Sequence, residues 1–228
     1  MSPRSKFDLR LLPKRPDISF ESGLWGQGYQ IVAGLDEAGR GALVGPVSAG
    51  AVVFSAGESD LCDRLKGVRD SKVMTAVERD RWACEIKAAA HSWGIGFASA
   101  QEIDQVGIVS ATFLAMTRAL AQLSCEVDYL LVDFLTLPDT RVPQMPLVKG
   151  DARSLSIASA AILAKTARDA LLIEMDETFP GYGFSSNKGY ATEAHRSAIK
   201  DLGPCKEHRR TFSPVSDYYS FFPPGELD

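Results

Sequence analysis

Two carboxylates, Asp36 and Glu37, stand side by side in GLDEAGRG (34–41), where an apolar run gives way to a turn almost bare of side chains. Two further acids, Asp133 and Asp151, close or follow the apolar runs VDYLLVD (127–133) and PLVKG (146–150). Clustered carboxylates repel one another, and burial raises their pKa values until some are neutral. A divalent cation removes that cost. Oxygen ligands with no His or Cys nearby favour Mg2+ or Mn2+ over zinc. Any one of these acids alone reads better as a cap or loop residue; four at strand ends read as a metal site. The glycines have a separate role. Gly39 and Gly41 lack Cβ, so a ligand can approach the backbone around Arg40 closely, and both tolerate positive φ. GRGALVG has GxGxxxG spacing and leads into a strand, which argues against a dinucleotide-binding loop.

For these acids to meet, the elements must deliver them to one edge. YQIVAGLD (29–36) and PVSAGAVVF (46–54) read as strands joined by the glycine-rich turn, and SWGIGFASA (92–100) as a third. Thr75 and Glu78 form a capping-box pattern that starts a helix before that third strand. Ile108, Thr112, Ala115, Ala119 and Gln122 mark the turns of a helix over 108–123. VDYLLVD is a buried strand and PLVKG a short one. A long helix is expected over roughly 155–177, and Thr192 caps another that ends before Gly203. This order predicts an α/β fold with a mixed five-stranded sheet flanked by helices. In open α/β sheets ligands bind at the carboxyl ends of strands, where Asp36, Asp133 and Asp151 all fall. Neighbours in a regular strand face opposite sides, so Glu37 joins them if the strand breaks there. The AGRG turn supplies such a break.

Composition sets the frame. The 228 residues are 45% hydrophobic and 24% charged, with mean hydropathy -0.05; one globular domain with appendages is expected. Arg4, Lys6, Arg10, Lys14 and Arg15 oppose only Asp8 near the amino terminus, with no apolar segment behind them. No secretory signal is expected there, and a flexible basic extension is expected over 1–28. No apolar run is long enough to cross a membrane. Cys62, Cys84, Cys125 and Cys205 include no CxxC pair, and the three histidines are scattered. Neither a zinc site nor a disulfide framework is expected, and reduced thiols point to the cytoplasm. Net charge is -4, yet Lys188 to Arg210 holds six basic residues against three acidic ones. Such a stretch reads equally as a phosphate-binding face and as a solvated helix surface.

GLDEAGRG (34–41), RDSK (69–72), LLVD (130–133), VKGDA (148–152), SIASAAILAKTARD (156–169), NKGYAT (187–192) and HRRTFSPV (208–215) form an ordered set. It closely resembles the ribonuclease HII family over about residues 30–215. The resemblance implies a ribonuclease H-like catalytic domain over 29–213, with a small C-terminal helical appendage from about 178 and a tail over 214–228. It also implies two-metal-ion hydrolysis, with Mg2+ or Mn2+, of the RNA strand of RNA–DNA hybrids. Nicking 5′ to single ribonucleotides in duplex DNA is implied too, leaving 3′-hydroxyl and 5′-phosphate ends. The family's metal-binding acids map onto Asp36, Glu37, Asp133 and Asp151, with Asp36 placed to bridge both ions.

By the same resemblance, the backbone of Gly39, Arg40 and Gly41 contacts the 2′-hydroxyl and Tyr190 packs on the neighbouring deoxyribose. Lys72 and Lys188 would hold phosphates. Without the resemblance, Tyr190 reads as a half-buried tyrosine at a helix start and both lysines as surface residues. Two positions depart from the family: Phe134 stands where glycine is usual, and Asn187 where histidine is frequent. Asp169 lies four residues after Lys165 and reads as half of an intrahelical ion pair rather than a further site acid. The alternatives are a nuclease confined to continuous hybrids and a non-catalytic nucleic-acid-binding module. Four mutually repelling acids argue against the second. SDYYSFF (216–222) resembles peptides that dock on sliding clamps, but Val215 stands where glutamine is expected. A monomer is expected.

Overall fold

The computed structural model describes residues 12–58 and 60–221. Arg4, Lys6 and Arg10 of the basic extension, and the tail from Phe222, lie outside the described residues. Five strands, β1 (Val32–Ala38), β2 (Val47–Val53), β3 (Ser92–Ala98), β4 (Tyr129–Asp133) and β5 (Gln144–Leu147), form one sheet in the order β3-β2-β1-β4-β5. β1 pairs antiparallel with β2, and β2 with β3; β1 pairs parallel with β4, and β4 with β5. Helix α1 (Ser19–Trp25) precedes the sheet, and α2 (Leu61–Arg64) and α3 (Ala76–Ala89) separate β2 from β3. Helices α4 (Ala100–Val106) and α5 (Ile108–Leu120) lead to β4. After β5 come α6 (Leu155–Thr178), α7 (Phe184–Asn187), α8 (Glu193–Leu202) and α9 (Val215–Phe221). The expected mixed five-stranded α/β fold is present.

Alternation along the strands divides the core between two helices. Ala33, Leu35, Ala49 and Ala51 face Ala111, Ala115, Met116 and Ala119 of α5. Val52 faces the opposite way, toward Ala158 and Ile162 of α6 and Ile86 of α3. Both helices lie directly on strand backbone because glycines admit them. A Cβ on Gly34 would fall 2.3 Å from the Ser156 carbonyl carbon, and one on Gly50 2.3 Å from the Ala160 oxygen. On the other face, a Cβ on Gly94 or Gly96 would fall 2.1 Å from the Ala119 or Ala115 oxygen of α5, respectively. Asp36 is in register with Gly50, so the first site acid sits beside a point where α6 lies directly on the sheet.

Four expectations need correction. The strand expected over 92–100 ends at Ala98, where Ser99 and Glu102 form a capping box that opens α4. Gly107 at φ +79° divides α4 from the helix expected over 108–123, which is present as α5. The strand expected over 146–150 ends at Leu147, and Gly150–Ala152 is a 3-10 turn. Within the extension expected to be flexible, α1 is docked: Leu24 packs with Val32, Leu131 and Ile157. Within the tail, α9 buries Val215 against Leu43 and Ile199. The capping box of Thr75 with Glu78 and the cap at Thr192 are as expected.

What docks α1 is a buried acid. Oε1 of Glu21 accepts hydrogen bonds from Ser154 Oγ at 2.6 Å and from Ser156 N at 3.0 Å. Oε2 is buried with no partner, and burial raises the carboxyl above its ordinary 4.5 in spite of those bonds. A carboxyl raised in the folded state contributes stability below its unfolded pKa and loses it as pH rises through the folded one. Glu21→Gln, which stays neutral, should therefore gain on the wild type as pH rises. Melting temperatures of both at about pH 4 and about pH 8 check this; a difference unchanged between the two would refute it.

Candidate active site

The ladder between β1 and β4 stops at Leu35–Val132, while that between β1 and β2 continues to Ala38–Ser48. One flank of β1 is therefore open from Asp36 onward. No break occurs at Glu37, contrary to expectation. Both acids belong to a continuous strand, and both line one cavity of about 540 Å³ because β1 projects beyond its neighbour. Asp133, the last residue of β4, lines it too, with Gly39, Arg40, Gly41, Lys72 and Tyr190. Asp151 sits in the 3-10 turn behind Lys72, whose Nζ reaches its Oδ2 at 3.4 Å. Lys188 is not brought to the cavity; its charge acts on Asp176 instead.

The electrostatics are those of crowded acids. Asp36, 4% exposed, is raised well above its ordinary pKa by burial first and then by Glu37, Asp133 and Asp151. Asp133 is pushed up to about 6 by burial and by Asp151, although the Gly150 N–H donates to its Oδ1 at 2.7 Å. Burial draws the Lys72 ammonium down, but Asp151, Asp36 and Asp70 together hold it above its ordinary value. Glu37 accepts from Arg40 Nη1 at 3.3 Å through Oε1, while its buried Oε2 has no partner. As the side chains stand, no three acidic, His or Cys groups among the described residues close on a common ion. The donor chemistry nevertheless fits a hard divalent cation: oxygens alone, one of them buried and unpartnered, and more negative charge than Lys72 offsets.

Beside the acids, two backbone segments are locked together by a buried cation. Gly39 is buried at φ +89°, and a Cβ there would fall 2.1 Å from Nε of Arg168. Arg168 donates to the carbonyls of Pro46 at 2.9 Å, Val44 at 3.1 Å and Lys188 at 2.9 Å. Its guanidinium lies 5.8 Å from the centre of the Tyr190 ring. Arg209 is likewise buried and donates to Gly45 O at 3.0 Å and Arg40 O at 2.9 Å. None of these partners is a carboxylate, and burial, with Arg168 adding to it, lowers Arg209 to about 9. Arg209 was counted with the basic face of 188–210; it is an internal strut.

The Tyr190 segment is held from its other side by a chain of ring nitrogens. Nδ1 of His195 lies 2.9 Å from Tyr190 O, and its Nε2 lies 3.1 Å from Nε2 of His208. Nδ1 of His208 accepts from Cys205 N at 2.9 Å. The Cys205 N–H fixes the tautomers: His208 donates from Nε2, and His195 donates from Nδ1 to Tyr190 O. Burial lowers both histidines, His208 to about 4, so both stay neutral. Histidines that look scattered in the chain thus meet in the fold, as a hydrogen-bonded relay. Asn187 adds two bonds, Nδ2 to Tyr182 O and Oδ1 from Gly189 N, each 2.7 Å. Phe134 follows Asp133 at φ +58° and is 61% exposed; the backbone keeps a glycine-like conformation under an aromatic side chain. None of these residues carries a local signal; Arg168 shares α6 with Lys165, Asp169, Glu174, Asp176 and Glu177 and reads as one more surface charge.

A larger groove of about 640 Å³ lies between Pro46, Phe97, Leu171, Met175 and Phe179. It is mainly apolar, and its Arg118–Glu102 pair is mutually satisfied at 2.7 Å. The chemistry lies in the smaller cavity. The Ribonuclease HII family profile matches residues 33–215. The ribonuclease HII of Chloroflexus aggregans is 50% identical over 200 residues, covering 88% of this chain and 94% of that protein. The crystal structure of ribonuclease H2 from Pyrococcus horikoshii superposes with TM-score 0.70 at 22% identity, over 84% of this chain and 98% of its own. The Archaeoglobus fulgidus ribonuclease HII, solved in complex with PCNA, does so with TM-score 0.65 at 22% identity, over 80% and 95%. The acid-lined cavity at the open flank of β1 falls inside the matched span, and the chain belongs to the ribonuclease HII family of metal-dependent endoribonucleases.

Proposed function

We propose that this enzyme cleaves the RNA strand of RNA–DNA hybrids and also nicks duplex DNA 5′ to a single embedded ribonucleotide. The observation that carries the finer reading is Arg168, one side chain that touches both the Gly39 turn and the Tyr190 ring. A site that must check a ribose and the sugar beside it needs its two sensors at a fixed spacing. Two Mg2+ or Mn2+ ions held by Asp36, Glu37, Asp133 and Asp151 would supply an activated water and neutralise charge at the leaving oxygen. The side-chain-poor Gly39–Gly41 turn would meet the 2′-hydroxyl. Tyr190, 39% exposed, offers its ring to the neighbouring deoxyribose. Lys72, on the cavity wall, would receive a phosphate.

A labelled duplex with one ribonucleotide tests this. Cleavage is expected with Mg2+ and not with chelator, leaving 3′-hydroxyl and 5′-phosphate ends; an all-DNA duplex should survive. Tyr190→Ala should reduce cleavage at the isolated ribonucleotide about tenfold more than cleavage inside a long RNA stretch, the size of one lost aromatic contact. Equal loss on both substrates would make Tyr190 structural and place junction reading elsewhere. A clamp contact through the tail is a separate proposal, supported by the Archaeoglobus protein's complex with PCNA. Removing residues 216–228, which spares the buried Val215 and takes away SDYYSFF, and measuring clamp binding tests it; undiminished binding would exclude that segment.

A further inference from the structure

The cavity holds a cation to which the reading above gives no task. Lys165, on α6, lines it with Asp36, Gly39, Lys72 and Tyr190. Its ammonium donates to Asp169 Oδ1 at 3.1 Å. Asp169 is not a simple intrahelical partner, because its other oxygen accepts from Arg79 Nη2 at 2.9 Å. Arg79 reaches across from α3 and donates through Nη1 to the carbonyls of Ser71 at 3.3 Å and Met74 at 2.6 Å. Those two carbonyls flank Lys72. One carboxylate therefore anchors Lys165 directly and the Lys72 turn at one remove.

The charges in this network do not cancel. Two cations share one acid, and the side chains of Lys165, Arg79 and Asp169 are only 17%, 9% and 10% exposed. Among the described residues Lys165 makes no ion pair with the four site acids, whereas Lys72 does. Burial lowers the Lys165 pKa despite Asp169, as expected of an ammonium short of counter-charge. A partly buried surplus cation is costly unless a ligand completes it. The substrate of a nuclease brings phosphates into this cavity, and an ammonium with unused donors suits them.

Resting on the nuclease reading, we propose that Lys165 is a second phosphate-binding residue. Asp169 is its positioning residue, and through Arg79 that of the Lys72 turn as well. The sign of one substitution separates this from bulk electrostatics. Asp169→Asn removes a negative charge from a nucleic-acid-binding surface, which by charge alone tightens binding. If Asp169 aims the two lysines, binding weakens instead.

The test uses the full chain and a labelled duplex with one ribonucleotide, in chelator so that no cleavage occurs, over a series of salt concentrations. Lys165→Met should weaken binding about five- to twentyfold, the range of a charge-assisted contact partly open to water. It should also reduce the slope of log affinity against log salt by roughly 0.9, one phosphate contact. Lys165→Arg, which keeps the charge, should restore most of both. Wild-type affinity and slope in Lys165→Met would overturn the phosphate contact, and tighter binding by Asp169→Asn would overturn the positioning role. Melting curves confirm that each variant is folded at the assay temperature; should Asp169→Asn unfold, the Lys165 pair decides alone. Cleavage of the same duplex by the wild type in Mg2+ reports separately on the nuclease reading.

Discussion

Asp36→Asn is expected to lower turnover on the order of a thousandfold, about 4 kcal/mol of transition-state stabilisation, while making the metal-free protein more stable. The two effects come from one cause. Asp36 is buried among Glu37, Asp133 and Asp151, and its pKa is raised well above 3.8 by that burial and those charges. A group whose folded pKa is raised contributes stability below its unfolded pKa and loses it as pH rises through the folded one. At neutral pH the ionised cluster therefore works against the fold, and a neutral amide of the same shape relieves it. The gain should be small near the ordinary carboxylate range and grow as Asp133, at about 6, ionises beside it. Adding Mg2+ should raise the wild-type melting temperature by linkage and raise that of Asp36→Asn less. Melting curves at two pH values, each with and without Mg2+, check all three statements without an activity assay. A variant that loses activity and is also less stable at neutral pH would mean that Asp36 is a structural residue.

Legibility in the sequence follows the range of the interactions involved. Thr75 caps α3 and Thr192 caps α8 through contacts three residues long, so residue types alone disclose them. Asp36, Asp133 and Asp151 are legible because an acid that ends or follows an apolar run lies close to the carboxyl end of a strand, and the carboxyl ends of the parallel strands β1, β4 and β5 share an edge. Glu37 enters by a route that no local pattern encodes. It needs no break in β1, only that β4 stop pairing at Leu35. Helix α1 is hidden among basic neighbours, because its anchor is Glu21 on serines 133 and 135 positions away. Helix α4 is hidden because Ser99 and Ala100 continue the alternation of β3 until the capping box takes over. Arg168 and Arg209 act on carbonyls 20 to 169 residues distant. A buried arginine on carbonyls looks, in sequence, like a surface arginine.

Gly39 and Gly41 should separate what the fold needs from what the substrate needs. Both flank Arg40, and by type alone both look free to adopt positive φ; only Gly39 does. At Gly39 an added Cβ meets Nε, Cδ and Cζ of Arg168 at 2.1, 2.5 and 2.8 Å. Those atoms cannot step aside cheaply, because three carbonyls hold the guanidinium. Gly39→Ala must therefore strain its own backbone and displace the strut that fixes Tyr190. Gly41 is exposed, and a Cβ there meets nothing within 4 Å. Gly41→Ala should fold and melt as the wild type does. Its cost appears only if a ligand comes against that backbone, as a 2′-hydroxyl would. The expected result is a melting temperature lowered by Gly39→Ala and unchanged by Gly41→Ala, with cleavage at a single ribonucleotide down in both. A displacement of about 1 Å at a reacting centre can cost roughly a hundredfold in rate, and that is the loss expected of Gly39→Ala. If Gly41→Ala cleaves as fast as the wild type, the substrate does not approach this turn, and the 2′-hydroxyl must be read by another part of the cavity.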